Sequence, residues 1–311
     1  MRIVLVEPSR AVQRIMTGFI AQGDHEVLTF SEGQAALECL SADDDIRALI
    51  TSVHLADISG IALCAAARTL AGSRRALFIM VMSSTEDYGL AIQALDNGAD
   101  DFIRKPPFPE ELKARLRAAD RLTSAQRELI TLATTDSLTG LLNRRAFFDR
   151  ASAACRAAQS GQALSAIIFD IDHFKRINDT HGHEVGDSAL AGISAAARTA
   201  AKIAARLGGE EFCLIEHCGL GDAIEIAEHL RRSIASQHFQ PEGGPGITAS
   251  FGVAEWETGD TIDRLLRRAD VALYEAKRAG RNRVVASNSF ALASQHDIWR
   301  GTARAEKRHN H

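Results

Sequence analysis

A chain of 311 residues exceeds one ordinary domain and suits two, at roughly 150 residues each. Hydrophobic residues at 46% and charged residues at 24% describe a globular protein able to bury a core, which excludes disorder as its main state. A net charge of -4 provides no global basic field to hold DNA, and 5% aromatic residues offer few stacking platforms for single-stranded nucleic acid.

Residues 2–6 form a short apolar run suited to a buried parallel strand. The acid at position 7 within MRIVLVEPSR argues against a signal peptide. Val12, Ile15, Met16, Phe19 and Ile20 then recur at helical spacing. Strand-like runs follow at 26–30, 48–51, 77–82 and 101–103, with helical stretches at 33–40, 61–70 and 88–97 between them. Alternation of this kind predicts an α/β, doubly wound parallel sheet, whose functional groups gather at the carboxyl ends of the strands. The apolar run 76–82 is too short to span a bilayer. The 5 cysteines include no C-x-x-C pair and fit a reducing compartment, so a cytoplasmic protein with no membrane partner is expected.

The strand ends carry Glu7-Pro8, Ser52, Ser83-Ser84 and Lys105-Pro106. With NGADDFIRKP at 97–106, this segment resembles the receiver domain of bacterial response regulators. The resemblance implies an acidic pair that binds Mg²⁺, an aspartate that accepts a phosphoryl group, a Ser or Thr matching Ser83 and a lysine matching Lys105. Here Pro8 replaces the second acid, and the acceptor position falls on Ser52. A serine is neither anionic nor nucleophilic at neutral pH without an activating base. His54 is near in sequence, and Asp57 is the alternative acceptor, placed in a loop beyond the strand. The receiver reads as degenerate, with dimerisation or sensing of an unidentified signalling protein as its expected job.

A long polar helix is predicted over 109–134. Leu112, Leu116, Ala119, Leu122, Gln126, Leu129 and Ala133 approximate a heptad seam. A parallel two-helix coil and a helix folding back on its own domain both produce such a stripe.

Further on, the elements read strand 165–171, helix 173–180, helix 186–201, strands 202–207 and 211–216, helix 222–236, strand 246–255, helix 261–279 and strand 282–286. A β-α-β-β-α-β core is expected, an antiparallel sheet with helices on one face and Gly208-Gly209 joining its two central strands. Cys213, His217 and Cys218 read as part of a strand with buried thiols, because no second ligand pair completes a metal tetrahedron. His181 and His183 read as loop and helix-start residues. Asp170 ends an apolar run, GGEEF at 208–212 puts two glutamates at a hairpin tip, and Lys277 and Arg281 lie four apart at a helix end. Hard carboxylates from two places suit Mg²⁺, and a cationic pair suits a triphosphate: the needs of metal-assisted nucleotidyl transfer.

DSLTGLLNR at 136–144, FDIDHFKRINDTHGHEVGD at 169–187, GGEEF and ALYEAKRAGRNRV at 272–284 together resemble the GGDEF family of diguanylate cyclases over residues 135–286. The implied organisation is a receiver-like domain at 1–118, a helical, coiled-coil linker at 107–135, an α+β nucleotidyl-cyclase-like domain at 136–288 and a disordered tail at 289–311. The implied metal ligands are Asp170, the Ile171 carbonyl, Glu210 and, with less support, Glu211, holding Mg²⁺ or Mn²⁺ at two ions per half-site. Glu210 is also the implied proton acceptor. Asn178 and Asp187 are the implied guanine readers; a buried acid at 187 would accept both guanine N–H donors and be left unsatisfied by adenine. His173 and Phe174 through their backbone, with Lys175, Lys277 and Arg281, are the implied phosphate holders. Asp172 stays open between supporting the site and a purely structural part.

The implied reaction joins two GTP into cyclic di-GMP with release of two pyrophosphates. One domain holds one GTP, so a homodimer is implied. The family's inhibitory product site, R-x-x-D before GGEEF, has no counterpart in register: Thr199 and Lys202 stand there, and Arg198 is one residue out. The alternative function is a non-catalytic GTP-binding or protein-interaction module. DNA is not an expected partner, since no helix-turn-helix follows the receiver.

Overall fold

The computed structural model describes residues 1–84, 88–237 and 246–287. The expectation for 289–311 lies outside them. The chain divides into two compact units between Ala133 and Thr134.

The first unit has five parallel strands, β1 (Arg2–Val6), β2 (Glu26–Phe30), β3 (Ile46–Ser52), β4 (Phe78–Ser83) and β5 (Asp101–Arg104), in the order β2-β1-β3-β4-β5. Its helices are α1 (Arg10–Ala21), α2 (Gly33–Ala42), α3 (Gly60–Ala71), α4 (Tyr88–Asp96) and α5 (Pro109–Thr134). All residues of β4 are buried, because helices cover both faces of the sheet. Val4, Val6, Leu49, Ile79 and Val81 share one core with α2 and α3; Ile3, Leu5, Ile50, Met80 and Met82 share the other with α1 and α5. The strand period of two sorts the residues between them.

The α5 stripe divides in two. Leu112, Leu116 and Ala119 are buried in the receiver core, whereas Leu122 and Leu129 are exposed at 45% and 65%, and Gln126 and Ala133 are exposed with them. Packing back on its own domain therefore explains the first half of the stripe and leaves the second half uncovered among the described residues.

The second unit contains α6 (Arg144–Ala158), β6 (Ser165–Ile171), α7 (Phe174–His181), α8 (His183–Ala200), β7 (Ile203–Gly208), β8 (Glu211–Glu216), α9 (Leu220–Ser236), β9 (Ala249–Glu255), α10 (Ile262–Arg278) and β10 (Val284–Ala286). The strand order is β10-β9-β6-β8-β7. Three expectations are corrected. Helices lie on both faces: Ile167, Phe169 and Ile171 face α8 and α9, while Ala166 and Ile168 face α6 and α10. The sheet is mixed, because β10 runs parallel to β9. Finally, Gly208-Gly209 joins an edge strand, β7, to β8, and β6 is the central strand.

Phe169 stacks on Phe212 at 4.9 Å and on Phe251 at 4.8 Å between ring centroids. These cross-strand pairs hold the register that sets Asp170 opposite Glu211, one residue further on. A one-residue slip would turn Asp170 to the opposite face.

Candidate active site

Asp170 leaves the end of β6 on the face covered by α10, where Lys277 Nζ meets its Oδ1 at 3.0 Å. The side chain is 12% exposed. Burial pushes its carboxyl up to about 6; Lys277 opposes that rise and Glu210 and Glu211 add to it. The Glu210 carbonyl accepts from Ile171 N–H at 3.4 Å, which keeps the hairpin tip beside the end of β6. Glu211 is also pushed up, chiefly by burial, with Lys277 pulling the other way and Asp270 and Glu210 raising it further.

Lys277 therefore answers to Asp170, Glu211 and Asp270 together. Asp270, two turns earlier on the same face of α10, was not singled out in the sequence; its seven-residue spacing from Lys277 was the available signal. Among the described residues no three His, Cys, Asp or Glu side chains form a complete cage for an ion. The donor set fits a divalent metal of oxygen preference that keeps open positions for phosphate oxygens and water, since crowded carboxylates, of which Asp170 is buried, gain from a cation between them.

Two side chains brace the GGEEF hairpin. Arg206 on β7 donates from Nε to the Gly209 carbonyl at 2.8 Å and from Nη1 to Asp136 Oδ1 at 3.1 Å. Asp136 also accepts from Thr139 N–H and Oγ1. Asp136 was legible only as part of a signature; Arg206 carried no signal in the sequence.

The loop after β6 turns on His173, held at φ 58 as α7 begins. Phe174 is buried and anchors α7, while His173 and Lys175 are exposed. Asn178 on α7 packs against Gly186 on α8: a Cβ there would stand 1.9 Å from Asn178 Oδ1. That oxygen is buried with no hydrogen-bond partner. Asp187, next in the chain, is exposed. The expectation of a buried acid is corrected: α8 faces solvent at this residue. Arg281 is exposed in the turn beyond α10.

Arg198 is engaged within the fold, donating from Nη2 to the Thr139 carbonyl at 2.8 Å. Cys213 is fully buried in β8, and His217 is exposed.

In the first unit, Glu7, Ser52 and Ser83 are buried at the strand ends, and Pro8 is exposed. Lys105 Nζ contacts Glu7 Oε2 and donates to Ser52 Oγ. Lys105 thus stands beside Ser52, but an ammonium paired with Glu7 donates a hydrogen bond and cannot act as base. Asp57 is more than a loop residue. Its Oδ1 and Oδ2 accept from Gly33 and Gln34 N–H at 3.0 and 2.8 Å, capping α2 from 24 residues away. Those two backbone donors hold its carboxyl down at about 2.

Residues 133–283 match the family described as diguanylate cyclase, GGDEF domain, and residues 3–117 match the response regulator receiver domain. The response regulator PleD of Caulobacter vibrioides is 35% identical over 91% of this chain and 65% of its own length. The diguanylate cyclase VdcA of Vibrio cholerae is 42% identical over 65% of this chain and 61% of its own. The chain thus spans less than two thirds of both relatives. A crystal structure of the coiled coil and GGDEF domain of DgcB from Caulobacter crescentus, in complex with c-di-GMP, is 36% identical, covers 56% of this chain and 98% of that one, and superposes with a TM-score of 0.51. With its strand-end carboxylate, its GGEEF hairpin and a receiver fold ahead of them, this chain belongs to the GGDEF diguanylate cyclase family and carries an N-terminal response regulator receiver domain.

Proposed function

We propose that the protein is a diguanylate cyclase that condenses two GTP into cyclic di-GMP, releasing two pyrophosphates, as a homodimer. The observation that carries this reading is the convergence of Asp170, Glu210, Glu211 and Lys277 at one end of the sheet.

Asp170, Glu210, Glu211 and the Ile171 carbonyl are the proposed holders of Mg²⁺ or Mn²⁺. When bound, such ions supply positive charge to the α-phosphate and to the attacking oxygen. Asn178 and Asp187 bind the guanine edge: the partnerless Asn178 oxygen accepts an N–H, and the Asp187 carboxylate accepts from donors that adenine lacks. Lys175, Lys277, Arg281 and the backbone at His173 and Phe174 hold the triphosphate. Glu210 takes the proton of the 3′-hydroxyl as that oxygen bonds to the partner nucleotide's α-phosphorus. The bond from α-phosphorus to the bridging oxygen breaks, and pyrophosphate leaves with the electron pair. The second bond forms the same way with the roles of the two chains exchanged.

A two-fold pair of domains is needed to bring the GTP molecules face to face. The exposed Leu122 and Leu129 on α5 support a parallel coil between two copies. The receiver sets the encounter without an aspartyl phosphate, since Ser52 occupies the acceptor position and Lys105 is already paired with Glu7. Incubation of the purified protein with GTP and Mg²⁺, followed by chromatography, is the test. Cyclic di-GMP is the expected product; binding of GTP without turnover would favour the non-catalytic alternative.

A further inference from the structure

Asp172 is 6% exposed yet has no cation paired to it among the described residues. Its carboxylate accepts from Thr248 Oγ1 at 2.7 Å, Ser250 Oγ at 2.7 Å and Asn282 N–H at 3.0 Å. A buried carboxylate is tolerable only with donors of this kind around it. The first two lie on or beside β9. The third lies in the turn that follows α10, 110 residues away.

That turn has an unusual backbone. Gly280, Arg281 and Asn282 have φ of 114°, 63° and 46°, in succession. Gly280 is the residue a helix end favours there, and Arg281 N–H closes the helix on the Ala276 carbonyl at 3.0 Å. Asparagine tolerates this region, but Arg281 has no such excuse: a long side chain avoids it unless its surroundings hold the backbone there. What holds the turn is visible. Asn282 N–H is tied to Asp172, and Asn282 Oδ1 accepts from Arg231 Nη1 of α9 at 2.8 Å.

Asp170 lies in β6 and Asp172 one residue beyond its end, where Ser250, the β9 partner of Asp170, donates to Asp172 Oδ1 at 2.7 Å. Asp170 meets Lys277 within α10, and Asp172 meets the turn just beyond it. We infer that Asp172 is a positioning residue for nucleotide binding: it fixes the strained Gly280–Asn282 turn so that Arg281 is presented to the β- and γ-phosphates at a set distance from Asp170. This rests on the reading of Arg281 as a phosphate holder.

The test is a double-mutant cycle read by equilibrium binding of an α,β-methylene GTP analogue and of GMP, on the full chain with Mg²⁺. Asp172→Ala should weaken the triphosphate about tenfold, the scale of one hydrogen bond to a charged group, and leave GMP unchanged. In an Arg281→Ala background the same change should have no further effect on the triphosphate. Asp172→Asn, whose amide oxygen can still accept from Asn282, should retain most of the affinity. Should Asp172→Ala fail to fold, Arg231→Met releases Asn282 from the other side and should show the same selective loss, again absent in the Arg281→Ala background. Equal losses for GMP and the triphosphate, or losses that add to that of Arg281→Ala, would overturn the inference while leaving Arg281 a phosphate holder. If Arg281→Ala alone left triphosphate affinity intact, the reading of Arg281 would fall and the inference with it.

Discussion

Gly252→Ala should displace α10 and disable the site from beneath. Gly252 lies in β9 under α10, and a Cβ there would stand 2.0 Å from Ala269 O, 2.3 Å from Leu273 N and 2.9 Å from Leu273 Cα. All three are backbone atoms, so no rotamer change relieves the clash. Ordinary contact begins at 3.4 Å, so the helix must retreat by 3.4 − 2.0 = 1.4 Å at Ala269. Overpacking of this kind costs about 1–3 kcal/mol, or roughly 2–12 °C in melting temperature for a domain near this size. The same shift carries Lys277 away from Asp170 and moves the turn that bears Arg281. Misplacement by about 1 Å is worth on the order of 10² in rate. Thermal melting and initial cyclase rate, measured side by side, are the assay. Gly221→Ala in α9, where nothing lies within 4 Å, is the control and should be neutral or mildly stabilising. An unchanged melting temperature and rate for Gly252→Ala would refute the claim that α10 is seated on β9 through this glycine.

Glu210→Gln should lower turnover by about 10²–10⁴ while GTP binding persists, as read by product formation and equilibrium binding; near-normal turnover would remove Glu210 as proton acceptor. Cyclic di-GMP should inhibit weakly and competitively, because Thr199 and Lys202 stand where an Arg-x-x-Asp site would be and Arg198 is committed to Thr139; tight non-competitive inhibition in rates titrated against GTP would show another product site. Beryllofluoride with Mg²⁺ should change neither light-scattering mass nor cyclase rate, because Ser52 offers no carboxylate and Asp57 is committed to α2; clear activation would assign the acceptor role to an acid of the receiver after all. The Asp57 cap should also show in acid. A carboxyl lowered from 3.8 to about 2 contributes stability that is fully present above 3.8 and is lost as pH falls through about 2. The loss of receiver stability over that window should be smaller in Asp57→Ala; identical acid profiles would deny Asp57 its capping role.

Where the chain alternates short apolar runs with helical stripes, the sequence was a good guide: β1, β3 and β4 of the receiver are buried almost throughout and carry its continuous apolar segments, while β2 and β5 at the sheet edges are only partly covered. The expected helix over 109–134 matches α5, because Pro109 starts it and no breaker interrupts it. Helix α6 went unread; its buried face is mostly alanine, with Phe147 and Cys155, and has little contrast with the rest. Its start was marked by Asn143, whose side chain accepts from Ala146 N–H. Helices on both faces of the second sheet were foreshadowed by β6, where every residue is buried, so a one-sided sheet was the wrong inference from SAIIFDI. Carboxylates at strand ends and hairpin tips were legible because local sequence puts them there. What Asp57, Asp172 and Arg206 do was not, since their partners are 24, 110 and 70 residues distant and only the folded chain brings them together.

The central claim is that two GTP molecules, one on each of two chains, are joined at a shared site. Specific cyclase activity, followed by chromatography of cyclic di-GMP across a dilution series with light-scattering mass at each concentration, tests it most directly. The account predicts activity per chain that falls on dilution in step with loss of dimer, and falls at higher concentration when residues 1–106 are removed. Activity per chain that stays constant while the mass is that of a monomer would contradict it.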